Sequence, residues 1–493
     1  MPHALLSVPT GLALLVAGGA GAQVVFDAPA LLPGAPSSSL EIADIDGDGH
    51  DDLVVAGSGH LDIRFGSGDG SFGGTVNIPN GQTPVLVEDL DGDGVLDIVH
   101  GMPPAHPDML AWSRGLGGGS FDAPVQLLPS ESANHIPTVL RRGDVDGDAH
   151  VDLAVHSIDF LSSFAQVLRG DGLGGFTVAF DHPTLVIDEY LFADIDGDGF
   201  DDVLYTSALS QGLSWARAVG DGSFQPVATL PGPGFPLGGA LELGGDARAE
   251  LLFPTGSSPD PVLHVYRYDG GSLAFAHTAA GGPYFGSAFV SDAELGDFDG
   301  DDVQDLAVLW GQHLTVYAVG PDGELTAMGH ATTSFSSPMA ASDVDEDGRL
   351  DIVTGRIFGG PDVLLNHTYT DGEPFQDLGG ALVSAGLIPT QLYTGDLGPG
   401  ESIQVRLVNA APSVAAYWIA GLERVDQPFS GGVLIPSPDV VRGPFFTDTA
   451  GQLTVSGSDL PALLRDVYTQ WWMVDAFAPI GMSASGAVLI EAD

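Results

Sequence analysis

An acidic motif of nine residues, Asp-x-Asp-x-Asp-Gly-x-x-Asp, recurs along the chain and constrains both its chemistry and its fold. We number its residues as positions 1 to 9 and its copies as motifs 1 to 7. Carboxylates at alternate positions, with another four residues later, repel one another unless a cation lies between them. The motif therefore predicts binding of a hard cation, which prefers oxygen ligands. Six copies keep this frame, with three minor variants, and they begin at Asp44, Asp89, Asp144, Asp194, Asp297 and Asp343.

The spacing of the motifs predicts a repeat architecture. Successive copies begin 45 to 55 residues apart when the degenerate motif 5, residues 242–250, is included. A period in this range is typical of propeller blades and other stacked arrays. Motif 5 has lost most of its carboxylates, so we expect it to mark a blade that binds metal poorly or not at all.

Each motif is followed by short apolar runs that predict buried strands. In the first repeat, Leu53-Val54-Val55 follows the motif, and a second strand leads to the glycine turn Gly66-Ser-Gly-Asp-Gly70-Ser-Phe72. Such short β-branched runs bounded by Gly and Asp favour strands, and about four strands per unit make one propeller blade. The predicted fold is all-β, with a seven-bladed β-propeller over residues 23–370.

The motifs and the Gly-x-Phe turns resemble those of the FG-GAP/VCBS repeat family. The calcium-bearing blades of that family are similar to those of integrin α-subunit propellers. The resemblance covers about residues 23–370 and implies an extracellular, integrin-like seven-bladed propeller. It implies no single activity, because the fold hosts many functions.

The oxygen-rich motifs predict about six structural calcium sites. By analogy with helix-loop-helix calcium sites, positions 1, 3 and 5 supply carboxylates, position 6 makes a sharp turn and position 7 offers a backbone carbonyl. Position 9 is expected to close the cage with both of its oxygen atoms. The predicted metal ligands are Asp44, Asp46, Asp48, His50 and Asp52; Asp89, Asp91, Asp93, Val95 and Asp97; Asp144, Asp146, Asp148, His150 and Asp152; Asp194, Asp196, Asp198, Phe200 and Asp202; Asp297, Asp299, Asp301, Val303 and Asp305; and Asp343, Asp345, Asp347, Arg349 and Asp351.

The helix-loop-helix fold itself does not fit the sequence. That calcium loop needs a bidentate glutamate at position 12. In this chain position 12 already lies in a predicted strand, where it is Val55, His100, Val155, Tyr205, Val308 or Thr354.

Position 6 differs among the motifs. Ala149 and Asp302 replace the turn glycine in motifs 3 and 6. If position 6 needs a positive φ angle, alanine costs about 1 kcal/mol there, and aspartate tolerates that geometry better than alanine does.

The charge balance excludes one class of partner. The chain has 66 acidic and 14 basic residues, for a formal net charge of -52, and all of its basic residues are arginines. A nucleic-acid partner requires basic surface for its phosphates, so we expect none. Outside the motifs, the alternative explanation of the charge is an acidic, halophile-like surface. Cysteine is absent, which excludes disulfides and thiolate metal sites.

The N-terminus predicts secretion. An apolar stretch centred on residues 12–16 leads to a run of small residues that ends at Ala22. We expect residues 1–22 to be a signal peptide cleaved after Ala22, although its first segment contains neither Lys nor Arg. The alternative is a buried N-terminal segment. No later stretch reaches the ~18 apolar residues that span a bilayer, so the mature protein is expected to be soluble and extracellular.

Two segments compete to close the propeller. Phe26-Asp-Ala-Pro29 matches Phe121-Asp-Ala-Pro124, which lies where the outermost strand of a blade is expected. We therefore expect residues 23–30 to supply the outer strand of the last blade and leave no unpaired edge. Phe375 is the rival for that place.

Residues 371–493 predict a separate all-β domain, most simply a small sandwich. The stretches at 429–438 and 470–475 resemble a C-terminal domain of secreted proteins from planctomycete-like bacteria, and that resemblance implies no activity. If Trp471 and Trp472 lie in one strand, they point to opposite faces, so we expect one in the core. The other is either buried or an exposed ligand platform.

No catalytic motif identifies an enzyme. The chain lacks a His-Glu-x-x-His pair, a Gly-x-Ser-x-Gly turn, a phosphate-binding loop and any cysteine nucleophile. The favoured function is a non-catalytic, monomeric binding or adhesion module, with calcium as its cofactor and an extracellular protein or glycan as its partner. The alternative is a secreted polysaccharide-active enzyme, a lyase or glycosidase, with a pair of catalytic carboxylates outside the motifs.

Overall fold

The computed structural model describes most of residues 24–367 and separate segments of residues 375–490. The predicted signal peptide lies outside the described residues. The residues that are not described are 1–23, 25, 27–28, 35, 58, 104–109, 128–135, 159–162, 185–186, 188, 207–212, 232–236, 244, 246, 256–261, 281–289, 334–337, 357–358, 368–374, 378–389, 395–402, 409, 412, 423, 430–431, 437, 439, 448–451, 458–466, 475–481, 486–487 and 491–493.

The described residues form strands and turns without any helix, so the all-β prediction is confirmed for them. Up to residue 367 they contain seven four-stranded antiparallel sheets, numbered here in chain order. Strand β1 (Ala30–Leu31) belongs to sheet 7. The other strands of sheets 1 to 4 are β2 (Ser39–Ala43), β3 (Asp52–Gly57), β4 (His60–Gly66) and β5 (Phe72–Ile78); β6 (Gln82–Glu88), β7 (Asp97–Gly101), β8 (Leu110–Ser113) and, after the hairpin β9 (Gly115–Gly117) and β10 (Ser120–Phe121), β11 (Val125–Gln126); β12 (Ile136–Gly143), β13 (Asp152–Ile158), β14 (Ser163–Gly170) and β15 (Phe176–Thr184); and β16 (Glu189–Ala193), β17 (Asp202–Thr206), β18 (Leu213–Ala216) and β19 (Ala228–Leu230).

Sheets 5 to 7 repeat the same order of strands. Their strands are β20 (Gly239–Leu241), β21 (Glu250–Thr255), β22 (Val262–Asp269) and β23 (Ser272–Ala280); β24 (Asp292–Gly296), β25 (Asp305–Trp310), β26 (His313–Val319) and β27 (Leu325–Thr332); and β28 (Met339–Ser342), β29 (Asp351–Thr354) and β30 (Asp362–Leu364), with β1 outermost.

Every motif occupies the same place in its sheet. It forms the loop between the first and second strands, and position 9 is the first residue of the second strand. In sheet 1, Asp52 pairs with Ala43, the residue before position 1, and the equivalent pair occurs in all seven sheets. The hydrophobic pattern sets this register, because a slip of one residue would turn the apolar side chains to the wrong face.

The core lies between neighbouring sheets. The second strands are buried along most of their length, as predicted from their apolar runs. Val54 and Ile63 of sheet 1, for example, pack with Val87 and Ile98 of sheet 2. The first strands contact one another in cyclic order, and β28 returns to β2, so the first strands surround a common axis.

The N-terminal segment closes this cycle. Ala30 pairs with Val363, and Phe26 forms an isolated bridge with Asn366. Phe26 is 1% exposed and packs edge-to-face on Phe298 with ring centroids 6.5 Å apart. The N-terminal segment supplies the outer strand of the last sheet, as predicted, but that strand is Ala30–Leu31, and of residues 23–30 the structure describes 24, 26, 29 and 30.

The alternative prediction, that Phe375 supplies the outer strand of the last sheet, was wrong. Phe375 belongs to β31 (Phe375–Asp377) and pairs with Ile490 of β41 (Val488–Ile490), far along the chain from the seven sheets. Residues 375–377 therefore belong to the C-terminal sheets, where β31 pairs with β41.

The C-terminal strands form two larger sheets and a hairpin. One sheet has the order β31-β41-β39-β34-β37 with β40 beside β39, the second has the order β32-β33-β38, and β35 and β36 form the hairpin. The remaining strands are β32 (Thr390–Thr394), β33 (Ile403–Val408), β34 (Ala415–Gly421), β35 (Arg424–Phe429), β36 (Gly432–Pro436), β37 (Val440–Phe446), β38 (Leu453–Gly457), β39 (Val467–Val474) and β40 (Met482–Ala484).

Both central tryptophans of β39 are buried. Trp471 is 0% exposed and packs with Val405 and Leu407 of the second sheet, so the two sheets share a core. Trp472 is 1% exposed and packs on the opposite side with Ile419. They do point to opposite faces, but an exposed ligand platform is wrong because each face is covered.

Candidate metal sites

The motif loops are held by their own first aspartate. In motif 1, Asp44 Oδ1 accepts hydrogen bonds from the backbone N–H of Gly47 at 2.8 Å and of Asp48 at 3.1 Å. Its Oδ2 accepts from the N–H of Gly49 at 3.0 Å. Motifs 2, 4 and 6 make the same three bonds. The chain therefore wraps tightly around position 1.

This wrapping brings the carboxylates of one motif together. In motif 1 one oxygen atom each of Asp44, Asp46 and Asp48 lies within 4.8 Å of the others. In motifs 2, 3, 4 and 6 the corresponding group contains positions 1, 3 and 9. Three carboxylate oxygen atoms at this separation have the chemistry of a hard-cation site.

One oxygen atom at position 3 indicates that a cation fits. In five motifs this atom is buried and has no hydrogen-bond partner among the described residues. A carboxylate oxygen removed from water needs a compensating partner, and a bound cation supplies one. The five atoms are Oδ1 of Asp91, Asp146, Asp196, Asp299 and Asp345.

The turn at position 6 has the geometry that the sequence suggested. Gly49 has φ +96°, and Ala149 and Asp302 also have positive φ angles, 63° and 64°. A side-chain carbon built at Gly49 meets no atom within 4 Å. The cost of alanine at this position therefore lies in the backbone conformation and not in crowding.

Position 9 has a second role that the sequence did not reveal. Its carboxylate is buried in all seven motifs. In motif 2, Asp97 Oδ2 accepts from the N–H of Leu90 at 3.0 Å, and Oδ1 accepts from the N–H of Gly115, beyond the third strand, at 2.7 Å. This carboxylate joins the start of the loop to the end of the third strand. Ligation of the metal by both oxygens of position 9 stays a prediction.

Burial raises the pKa of the position 9 carboxylates. Loss of solvation is the largest cause, and backbone hydrogen bonds oppose it. The pKa of Asp152 rises to about 6, and those of Asp202, Asp305 and Asp351 rise to about 7. A bound cation favours the ionised form, so a cation that binds at these loops would release protons.

The residues at position 7 follow the aspartate at position 5 in a tight turn. The N–H of His50 donates to Asp48 Oδ1 at 3.0 Å, and that of Val95 donates to Asp93 Oδ1 at 2.9 Å. The same bond recurs at His150, Phe200, Val303 and Arg349. Metal ligation by their carbonyl oxygens stays a prediction.

Three arginines that sequence reasoning missed pair with the motifs. Arg114 contacts Asp91 and Asp93, and both contacts are ion pairs. Arg169 and Arg217 make the equivalent pairs with positions 3 and 5 of motifs 3 and 4. Each arginine follows position 9 by 15 to 17 residues. The regular spacing is the signal that could have found them.

A second group of charged residues lies on the first strands around the axis. We name it the axial cluster, and it comprises Glu41, Glu88, Arg141, Arg142, Asp292 and Glu294. Arg142 Nη1 pairs with Glu88 Oε2 at 3.2 Å, and Asp292 Oδ2 accepts from the N–H of Met339 at 2.9 Å. The cluster joins side chains from sheets 1, 2, 3 and 6.

The axial carboxyls hold protons more tightly than free carboxyls do. Burial raises the pKa of Glu41 to about 7, and the nearby Arg142 and Arg141 oppose this rise. Burial also raises the pKa of Glu294 to about 8, and the negative charges of Asp292 and Glu41 add to the effect. Carboxyls with such pKa values can exchange protons near neutral pH.

Comparison with known proteins supports the repeat. Residues 44–100 match the model of the FG-GAP-like repeat family, and this segment contains motifs 1 and 2. No curated protein sequence matches the chain. The FG-GAP-like match and the repeated four-stranded sheets together indicate a β-propeller.

Several solved structures are similar to the chain at low sequence identity. A lectin of Agrocybe aegerita, described for its specific recognition of non-reducing terminal N-acetylglucosamine, is 17% identical, with 66% of this chain and 86% of that chain covered and a TM-score of 0.42. The periplasmic gluconolactonase PpgL of Pseudomonas aeruginosa is 16% identical, with 61% and 87% covered and a TM-score of 0.41. The Dos1 propeller is 8% identical, with 66% and 77% covered and a TM-score of 0.41.

No helix among the described residues is long and apolar enough to cross a membrane.

Proposed function

We propose that the chain is a secreted, calcium-binding, seven-bladed β-propeller that acts as a non-catalytic binding or adhesion module for extracellular protein or glycan partners. The observation that carries the calcium part is the buried, unpartnered oxygen atom at position 3 of five motifs. An oxygen atom of this kind has a strong requirement for a partner, and the motif surrounds it with other carboxylates.

The sites are proposed to be structural. Each lies in a loop between the first two strands of a blade, and position 9 ties that loop to the end of the third strand. A cation held there neutralises repulsion among carboxylates that the fold forces together. Calcium fits these loops better than magnesium does, because it accepts six to eight oxygen ligands in flexible geometry.

The proposed domain limits follow the repeats. Residues 1–22 form the signal peptide, residues 23–370 form the propeller, and residues 371–493 form a sandwich-like domain of the type found in secreted planctomycete-like proteins. The strand pairing between Ala30 and Val363 supports the first limit of the propeller, and the pairing between Phe375 and Ile490 supports the last.

The binding role is tested with a glycan array and with pull-down from extracellular protein mixtures, each with calcium and with chelator. A partner retained in calcium and lost in chelator supports a binding module whose surface depends on the metal. An identical set of retained partners in both conditions contradicts a calcium-dependent module. Sedimentation of the purified chain as a monomer completes the proposal, and a stable dimer contradicts that part.

The axial cluster favours a second candidate, a secreted polysaccharide lyase or glycosidase. Glu41 and Glu294 have pKa values of about 7 and about 8, which suit proton donation at neutral pH. Product analysis after incubation with pectic and other polysaccharides tests this function. The enzyme requires that Glu41→Gln and Glu294→Gln each abolish product formation, whereas the binding module forms no product in either the original chain or the variants.

A further inference from the structure

Four of the seven sheets carry an arginine at one shared position. In sheet 6, Ala318 of the third strand pairs with Asp305, which is position 9 of the motif. In the other six sheets the register, continued by one residue, places a residue of the third strand or directly after it opposite position 9. We name this residue the register residue. It is Arg114, Arg169, Arg217 and Arg267 in sheets 2 to 5, and Phe65, Ala318 and Leu365 in sheets 1, 6 and 7.

In sheets 2 to 4 the register arginine and a cation would use different oxygen atoms of the same carboxylate. Arg217 pairs with Oδ2 of Asp196 and lies 2.8 Å from Oδ2 of Asp198. The Oδ1 atom of Asp196 is the one left buried without a partner. The arginine therefore holds the carboxylate in place and offsets part of its charge, while the other oxygen stays available to a metal.

Sheet 5 shows what the register arginine does where the motif is degenerate. Arg267 Nε lies 2.6 Å from Oε1 of Glu250, which is position 9 of motif 5. Glu250 Oε2 accepts from the N–H of Leu243 at 2.7 Å, as position 9 does in the other motifs. Arg267 Nη2 also donates to the carbonyl of Asp322 in sheet 6 at 3.0 Å. In this sheet the arginine pairs with position 9 itself, in a motif that has lost most of its carboxylates.

Sheets 6, 7 and 1 have no cation at the register position. Their register residues are apolar, and among the described residues no arginine forms an ion pair with the four predicted ligand aspartates of motif 6. Motif 7 has Arg349, which lies within the loop and pairs with Asp347 at 2.7 Å. These three sheets are consecutive around the axis, and they include the place where β1 closes the cycle.

We propose that the register arginines are built-in counter-cations that divide the ring into two arcs. Sheets 2 to 5 keep their loops folded without calcium, whereas sheets 6, 7 and 1 depend on calcium. Withdrawal of calcium therefore loosens the ring first in sheet 7, where β1 closes it against β30, and in the neighbouring sheets 6 and 1. This inference rests on the proposed calcium function and assigns its regulation to particular sheets.

The test is hydrogen exchange by mass spectrometry on the full chain, in calcium and in chelator. We expect removal of calcium to speed exchange at least tenfold in β25, β29 and β3, and less than threefold in β13 and β17. Equal acceleration in all these strands, or faster exchange in sheets 2 to 4 than in sheets 6, 7 and 1, would overturn the inference.

Two substitutions test the arginine itself. Arg169→Leu should make β13 as sensitive to chelator as β25, while Arg169→Lys, which keeps the charge, should restore most of the protection. Ala318→Arg places the missing cation in sheet 6, where the register residue is half-buried, and should slow exchange of β25 in chelator. If Arg169→Leu leaves β13 protected in chelator and Ala318→Arg leaves β25 unprotected, the register arginines are not counter-cations.

Calorimetric titration with calcium separates the two proposals. If the chain binds calcium but chelator speeds hydrogen exchange equally in all the named strands, only the division into two arcs is contradicted. No heat of binding and no effect of chelator on any strand contradicts the calcium function itself.

Discussion

Replacement of the buried aspartate at position 9 should destabilise the ring even when no calcium is present. In motif 2, Asp97 is 0% exposed, and its two oxygen atoms accept backbone hydrogen bonds at 3.0 Å and 2.7 Å. Asp97→Ala leaves the N–H groups of Leu90 and Gly115 buried without a partner. Each unsatisfied donor costs about 1–3 kcal/mol, so we expect a loss of about 2–6 kcal/mol in the free energy of unfolding.

The matched control removes a carboxylate from the same loop. Asp93, at position 5, has a side chain that is 32% exposed, and it bonds the N–H of Val95 and pairs with Arg114. Both groups can turn to water, so Asp93→Ala should cost less than about 1 kcal/mol without calcium.

Urea unfolding in chelator, followed by tryptophan fluorescence, measures both variants against the original chain. We expect a clearly lower urea midpoint for Asp97→Ala and an almost unchanged midpoint for Asp93→Ala. With calcium present both variants should lose further stability relative to the original chain, because each lacks a predicted ligand. Equal midpoints of the two variants in chelator would refute the structural role of position 9.

Three further predictions concern the axis, the closure and the turn. The folded pKa values of Glu41 and Glu294, about 7 and about 8, lie above the ordinary value of 4.5, so their contribution to stability is present below pH ~4.5 and is lost as pH rises toward 8. The double variant with glutamine at both positions should lose less melting temperature between pH 5 and 8, and a parallel loss would contradict the pKa values. Phe26→Ala should cost about 3–5 kcal/mol because it empties a buried site at the closure; an unchanged urea midpoint would show that the N-terminal segment does not hold the last sheet. Ala149→Gly should gain about 1 kcal/mol by relieving a positive φ angle, and no gain in thermal melting would contradict that assignment of strain.

The sequence predicted the features that depend on local pattern. The motif spacing located the loop of every sheet, and the apolar run at 53–55 located a buried second strand. The match between Phe26 and Phe121 located the closing segment, because each residue forms a backbone pairing a few residues before the outermost strand of its sheet, β1 or β11. The positive φ angle at Ala149 followed from its place in the motif.

The features that were missed depend on contacts between distant residues. Nothing near Asp97 in the sequence shows that its oxygen atoms bond Gly115 across the sheet. Glu41 and Glu294 meet because the first strands share one axis, although 253 residues separate them in the chain. Trp472 could not be assigned to the core from alternation alone, because both faces of β39 are covered.

The most direct test of the proposed calcium sites is the number of calcium ions that the chelator-treated chain binds, measured by equilibrium titration with the melting temperature followed in parallel. We expect about six calcium ions per chain and a rise in melting temperature. At ~1 mM calcium and a dissociation constant of about 0.1 mM, each site adds about 1.4 kcal/mol of stability. A chain that binds no calcium, or whose melting temperature does not change when calcium is added, would contradict the proposal of structural calcium sites.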